Sequence, residues 1–470
     1  MNFQNMLETS VAQNNSLVCV GLDSEVAKLP AKFRKAKEPQ FEFNKAIIDA
    51  TADLVCAYKP NSAFYEAEGA VGIEQLRKTV EYIHDKYPNI PVILDAKRAD
   101  IGNTNQGYTQ FIFEYLGIDA VTVHPYLGQE AIQPFLDYKD KGIIVLCRTS
   151  NDGAGEFQDL ESDGQKLYQK VAHAVRDRWN KNNNCLLVVG ATYPEEMKEI
   201  RAMMGDNTTF LVPGVGAQGG DVEKMVRAGV NAYGDGIIVN SARGIIFASD
   251  GDGFADAARA ETEKLRDEIN KYRHTELVLD LHRNGIVKFG EFTFKSGIVS
   301  PMYIDLRMLV SNPSTMKRVA KAYTGLLKNL KYDRMAAVPY AAMPIVAAIS
   351  AENEQPWIYT RKEAKGYGTN KMIEGEYQEG ETIVVVDDLV TNGDSKFEVI
   401  APFEAVGMKV SDCVVLLDYN KGAKAKLAKK GYNLHAVLTV PEVIETLHRE
   451  KAIDEAKYDE VCEFLDKQVK

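Results

Sequence analysis

The sequence predicts an α/β chain in two parts: an N-terminal (β/α)8 barrel over residues 1–272 and a smaller open-sheet domain over residues 273–470. Three observations carry this. Eight short apolar runs recur through the first 245 residues, and stretches with helical spacing separate them. A second block, beginning near Thr275, repeats the strand-and-helix alternation on a smaller scale.

The eight runs are "SLVCVGLD", "DLVCAYKP", "IPVILDAK", "DAVTVHP", "GIIVLCRTS", "CLLVVGAT", "TFLVPGVG" and "GIIVNSARG". Strands that are apolar on both faces and alternate with helices belong to a parallel sheet covered on both sides. Eight such units suit a barrel, with a doubly wound open sheet as the competing arrangement. Between the runs the period changes: in "GIEQLRKTVEYIHDKY", Ile73, Leu76, Val80 and Ile83 share one helical face. The charged helical stretch "GFADAARAETEKLRDEINKYRH" closes the first part, and no Pro/Gly linker follows it. The second block opens on "TELVLDLHRNGIVKFGEF" and holds three strand candidates, "RMAAVPY", "TIVVVDDL" and "DCVVLLDY". A helix-like stretch from Lys396 to Val406 separates the last two.

Composition excludes several functional classes. A net charge of −11 argues against a nucleic-acid binder, which needs a basic face to neutralise phosphates. No run approaches the roughly 18 apolar residues of a membrane span. The N-terminus lacks the basic and apolar regions of a secretion signal. Six cysteines without a CxxC pair suit a reduced cytoplasmic protein and give neither a zinc site nor a disulfide framework.

The polar residues of the first part gather at the ends of the runs. Asp23 ends the first, Lys59 the second, Asp95 and Lys97 the third, Thr149 and Ser150 the fifth; Gln218 follows the seventh and Arg243 the eighth. Any one of them alone reads as a cap or a turn. In a barrel they share the C-terminal mouth, where this fold keeps its chemistry. "VPGVGAQGGD" supplies backbone N–H groups for an anion, and Arg243 a guanidinium that can grip phosphate with two N–H groups. Loops after strands seven and eight are the usual phosphate position, so the expected ligand is a phosphate ester. In the second block, "TIVVVDDLVTNGDS" runs a buried strand into Asp387 and Asp388, then into a loop of small residues opening a helix. That combination is a phosphate cradle beside carboxylates able to reach ribose hydroxyls, with an ordinary capped strand–turn–helix as the plain alternative.

These motifs resemble two known families. "VILDAKRADIGNT" and "AYKPN" are similar to the signature and the upstream lysine strand of orotidine 5'-phosphate decarboxylases, over roughly the first 270 residues. The shorter D-x-K-x-x-D core is shared with barrels such as the hexulose-phosphate synthases. The decarboxylase resemblance implies an array of Lys59, Asp95 and Lys97, completed by Asp100 from a partner subunit. It implies that Lys97 protonates C6 of the pyrimidine as carbon dioxide leaves, with Asp95 beside the departing carboxylate. Asp23 and Lys59 would hold ribose hydroxyls, and Thr104 would reach across the dimer. Ser150 would meet the pyrimidine edge, and Gln218 and Arg243 the phosphate. No cofactor is implied for this reaction.

The second block resembles type I phosphoribosyltransferases, orotate phosphoribosyltransferase in particular, through "FGEFTFKSGIVSPMYIDLR", "VPYAAMP", "RKEAKGYGT" and the acid-pair motif. This resemblance implies that Asp387 and Asp388 bind the ribose and that the loop Thr391–Ser395, with Gly393, holds the 5'-phosphate. Lys295, Arg361, Lys362 and Lys365 would neutralise pyrophosphate accompanied by Mg²⁺, with no metal ligand assigned among the side chains. Three positions depart from that pattern: Tyr367 replaces a usual histidine, Asp394 a usual Thr or Ser, and Tyr419 an arginine that grips the orotate carboxylate. Together the resemblances imply a fused UMP synthase, decarboxylase first, acting as a homodimer or larger homo-oligomer. The alternatives are an active decarboxylase whose second domain is an altered or inactive transferase serving binding, regulation or oligomerisation, and a metal-dependent sugar-phosphate aldolase or synthase.

Overall fold

Each of the eight apolar runs forms a strand: β1 (Val18–Gly21), β2 (Ala57–Lys59), β3 (Ile93–Arg98), β4 (Ala120–Val123), β5 (Gly142–Arg148), β6 (Cys185–Val189), β7 (Phe210–Val212) and β8 (Ile237–Ser241). The computed structural model describes residues 2–215, 219–293, 297–361 and 372–469. The chain divides into two units, Met1–Asn231 with Asp235–Arg273, and Ala232–Gly234 with His274–Lys470.

In the first unit the eight strands pair only in parallel, in the order β2-β1-β8-β7-β6-β5-β4-β3, and a short antiparallel hairpin, Glu161–Ser162 with Gln165–Lys166, stands apart from them. The ring closes between β2 and β3. Tyr58 pairs there with Val92 and Asn61 with Asp95, and the N–H of Tyr58 donates to the Pro91 carbonyl at 3.1 Å. Closure excludes the open sheet. The strand residues divide by direction, as period-two side chains must. Cys19, Ala57, Ile93, Ala120, Ile144, Leu186, Leu211 and Ile238, one from each strand, form an inner layer that Phe3 and Leu7 of the helix Phe3–Asn14 join. The opposite faces pack under the helices in a second core containing Val18, Tyr58, Leu94, Val121, Val145 and Val239. The expected helix after β2 is α1 (Gly69–Lys86), which buries Leu76, Val80 and Ile83.

The second unit holds a six-stranded sheet and a separate hairpin. The hairpin is β9 (Val287–Thr293) antiparallel to β10 (Val299–Ile304). The sheet comprises β11 (Arg334–Ala337), β12 (Trp357–Thr360), β13 (Ile373–Glu374), β14 (Thr382–Val390), β15 (Lys409–Asp418) and β16 (Asn433–Thr439). Its order is β13-β12-β11-β14-β15-β16, parallel except for the edge strand β13. The three strand candidates read from sequence are β11, β14 and β15, the centre of this sheet; β12, β13 and β16 extend it. Among the described residues, no helix is long and apolar enough to cross a membrane.

Candidate active sites

The C-terminal ends of the barrel strands enclose a cavity of about 500 Å³. Asp23, Lys59, Asp95, Lys97, Ser150 and Arg243, each named from sequence, all line it. Gln218 lies outside the described residues, as do Lys295, Lys362, Lys365 and Tyr367 of the second unit. Asp100 and Thr104 do not line this cavity. They lie beyond β3, where the N–H of Asp100 donates to the buried Asn105 Oδ1 at 2.8 Å, within α2 (Gly102–Thr109).

Asp95 is the centre of the cluster. Its Oδ2 accepts from Lys59 Nζ at 3.1 Å and its Oδ1 from Lys97 Nζ at 2.6 Å. Thr122 Oγ1 donates to Oδ1 at 2.9 Å and Asn61 Nδ2 to Oδ2 at 3.4 Å. Burial alone would push the Asp95 carboxyl up. The two ammonium groups outweigh it and hold the carboxyl well below the usual carboxylate range. Burial would likewise depress the ammonium of Lys59, of which 3% is exposed; Asp95 and Asp23 reverse this and hold it above the ordinary lysine value.

The backbone of β3 is bent to build this array. The β3–β4 register breaks between Leu94 and Arg98, and Lys97 sits at φ +47°, a left-handed conformation that strains a residue with a side chain by roughly 1–2 kcal/mol. The Thr122 hydroxyl takes over the lost ladder bonds, accepting from the N–H groups of Ala96 (3.0 Å) and Lys97 (2.9 Å) while donating to Asp95. One side chain therefore fixes both the strained backbone and the central carboxylate. Sequence reasoning missed Thr122. The available signal was its phase, since it lies two residues after the inward-facing Ala120.

Around this centre, the neighbouring strands present groups suited to a polar ligand. Asp23 Oδ1 is buried without a hydrogen-bond partner, and burial, the first cause, pushes its carboxyl up. An orphaned carboxylate oxygen beside a cavity suits a ligand hydroxyl. Ser150 is brought in close because Gly190, at the end of β6, leaves room: a Cβ there would stand 2.8 Å from the Ser150 backbone. Gln158, also missed from sequence, braces the same segment, accepting from the Thr149 N–H at 2.9 Å and donating to Thr149 Oγ1 at 2.8 Å.

In the second unit, β14 runs into the acid pair, and α4 (Asp394–Glu404) starts just beyond it. Gly393 adopts φ +84° in the connecting turn, and Thr391 and Ser395 are exposed around it. Asp387 accepts from Lys396 Nζ in a buried ion pair, and Lys396 Nζ also donates to the Leu389 carbonyl at 3.0 Å. Burial and then the adjacent Asp387 carboxylate push Asp388 up to about 7. Asp394, the acid set in a phosphate-type loop, is ion-paired with Lys426 of α5 (Ala423–Ala428). Arg361 pairs with Glu374 across the sheet edge. Tyr419 is partly buried, with Lys421 Nζ 5.3 Å from its ring centre.

A closed parallel barrel whose mouth gathers Lys59, Asp95 and Lys97 around one cavity is the architecture of an enzyme, and the open-sheet unit carries an acid pair ahead of a glycine turn. The orotidine 5'-phosphate decarboxylase / HUMPS family model matches residues 16–258. A bifunctional enzyme PyrF/PyrE of Nostoc sp. is 34% identical over 477 residues, spanning 97% of this chain and 99% of its own. An orotidine 5'-phosphate decarboxylase of Cellvibrio japonicus is 56% identical over 275 residues, 58% of this chain and all of its own. The structure of Leishmania donovani UMP synthase, 40% identical, covers 99% of this chain and 100% of its own with a TM-score of 0.63. The chain belongs to the orotidine 5'-phosphate decarboxylase / HUMPS family and, over its full length, to the bifunctional PyrF/PyrE enzymes.

Proposed function

We propose that this chain performs the last two steps of UMP synthesis: the second unit transfers phosphoribosyl from phosphoribosyl pyrophosphate to orotate, and the barrel decarboxylates the resulting orotidine 5'-phosphate. The observation that carries the decarboxylase reading is the Lys59–Asp95–Lys97 array, with Asp95 anchored by Thr122. Fixed charges of this kind act by matching the transition state better than the substrate. As the bond from C6 to the carboxylate breaks, carbon dioxide departs and its electron pair remains on C6. The Lys97 ammonium stabilises that charge and donates a proton to it, with solvent restoring the lysine. Asp23, with its unpartnered Oδ1, and Lys59 hold ribose hydroxyls. Ser150 meets the pyrimidine edge, and Arg243 with Gln218 the phosphate, whose remote binding energy offsets the crowding of substrate carboxylate against Asp95.

The barrel works as a homodimer. Asp100 and Thr104 stand outside their own cavity, and the segments that carry them and follow β4 expose Ile101, Tyr126 and Leu127, apolar surface suited to a second copy. Asp100 and Thr104 then complete the partner's site. In the transferase, Asp387 and Asp388 receive the ribose hydroxyls and Thr391 to Ser395 the 5'-phosphate; Arg361, Lys295, Lys362 and Lys365 meet pyrophosphate. Mg²⁺ would accompany the pyrophosphate, since a hard dication prefers phosphate oxygens, and would offset the charge that Arg361 and the lysines meet. The enzyme operates in the reducing cytoplasm, in keeping with its six free cysteines.

Tyr419 favours a second reading, in which the decarboxylase is active and the second unit binds its ligands without efficient transfer, because a phenol cannot reproduce the bidentate charged grip of arginine. Two assays on the full chain separate the readings, one on orotidine 5'-phosphate and one on orotate with phosphoribosyl pyrophosphate and Mg²⁺, each repeated with EDTA. The bifunctional reading expects both activities, with chelation stopping only the second. Activity on the first substrate alone would establish the other reading, and loss of decarboxylation on chelation would overturn metal-free chemistry in the barrel.

A further inference from the structure

The helix after the phosphate loop buries a lysine. α4 turns Lys396, Ile400 and Phe403 inward at spacings of four and three residues, so Lys396 occupies a place on an apolar stripe, with only 2% of its side chain exposed. An apolar residue would pack there without desolvating an ammonium group, so charge is what this position contributes. That charge is directed: Nζ donates to the Asp387 carboxylate and to the Leu389 carbonyl, linking the start of the helix to the end of β14.

Three titratable groups near the acid pair, Tyr323, Cys413 and Tyr419, are neutral near pH 7. Tyr323, on α3 (Pro313–Leu327), donates to the Asp387 carbonyl at 2.6 Å, and burial pushes its phenol well up. Burial pushes the Cys413 thiol of β15 and the Tyr419 phenol each up to about 12. Among the described residues, Lys396 is the cation ion-paired with Asp387, beside which Asp388 stands. A ribose presents two hydroxyls on adjacent carbons, which two carboxylates can accept together only if their mutual repulsion is offset.

Resting on the transferase reading above, we propose that Lys396 is a positioning residue for the phosphoribosyl donor, supplying from inside the protein the counter-charge that lets the two adjacent carboxylates face a vicinal diol together. It reaches the substrate only through Asp387. The test is calorimetric binding of phosphoribosyl pyrophosphate with Mg²⁺ to the full chain from pH 6 to 9. In Lys396→Met the acid limb of binding moves to higher pH by about one unit or more, so affinity falls about tenfold near pH 7 and recovers toward pH 9. Lys396→Arg keeps the parent's limb. The double variant Asp387→Asn/Lys396→Met loses the repulsion as well as its counter-charge, and its limb falls below the parent's; being neutral, it also serves if Lys396→Met does not fold. A Lys396→Met profile parallel to the parent's, or a double-variant limb at or above it, overturns the proposal. A parent that binds no donor at any pH sinks the transferase reading itself and the inference with it.

Discussion

In the barrel one carboxylate, Asp95, lies between two ammonium groups; in the second unit one ammonium group, Lys396, pairs with Asp387, and a second carboxylate, Asp388, follows directly. Both clusters sit where a parallel strand ends, and the carboxylates Asp95 and Asp387 are each largely withdrawn from water, yet the ratio of charges gives the clusters opposite behaviour. With two cations to one central acid, Asp95 is held far below the usual range and stays ionised throughout the neutral region. With two acids to one cation, burial and the adjacent Asp387 carboxylate push Asp388 up to about 7. The first arrangement suits a reaction that needs a fixed field. The second suits hydroxyl binding that comes and goes with substrate.

The largest effect expected from breaking this contrast is at Lys97. Lys97→Ala removes the proton donor and one of the two cations, so decarboxylation falls by about a thousandfold or more. UMP binding and the transferase rate of the same chain stay near the parent's. Decarboxylation at near the parent rate would remove Lys97 from the chemistry.

Thr122→Val should come next. It leaves Asp95 with three of its four donors and the N–H groups of Ala96 and Lys97 without the hydroxyl that accepts from them. Each buried group left unsatisfied costs about 1–3 kcal/mol, so decarboxylation falls by roughly ten- to a hundredfold. Thr122→Ser keeps the hydroxyl and most of the rate. An unimpaired valine variant would mean that the two lysines hold Asp95 unaided.

The ease of reading these parts from sequence follows their energetics. Strands buried on both faces leave long apolar runs, so all eight barrel strands were legible, as were β11, β14 and β15. The edge and hood strands were not: β9, β10 and β16 are only partly buried, and β12 is four residues long after a proline. Lys59, Asp95 and Lys97 stood out because charge at the end of a buried strand is expensive without a use. Thr122 did not, since threonine is an ordinary strand residue. Lys396 was hidden because lysine in a helix is usually solvated, and only packing reveals that its stripe faces inward.

The two clusters should also separate on a pH scale. The folded Asp95 carboxyl lies below its ordinary value of 3.8, so its contribution to stability is complete above that value and is lost as the pH falls further. Asp388 has the opposite sign. Its folded form holds a proton that the unfolded chain releases near 3.8, so its contribution diminishes as pH rises from there to about 7. Donor binding then strengthens as pH rises through about 7, by up to tenfold per unit below it, while decarboxylation shows no matching limb. Parallel pH profiles for the two activities would erase the distinction.

The smallest change expected to sharpen the contrast is Tyr419→Arg. The Tyr419 ring lies beside Lys421 and within the electrostatic reach of Asp388. A guanidinium there offers orotate a charged partner, and a charged hydrogen bond contributes about 1.5–3 kcal/mol, enough to lower the orotate KM roughly tenfold. It also places a second cation near the acid pair, moving that site toward the barrel's ratio. The same substitution should therefore lower the pH at which donor binding is half-complete. The two effects are separable, because the first appears in KM for orotate and the second in donor affinity without orotate. A fall in KM with no movement of the donor limb would place residue 419 at the base alone; movement of the limb with KM unchanged would show that orotate draws its charge partner from elsewhere.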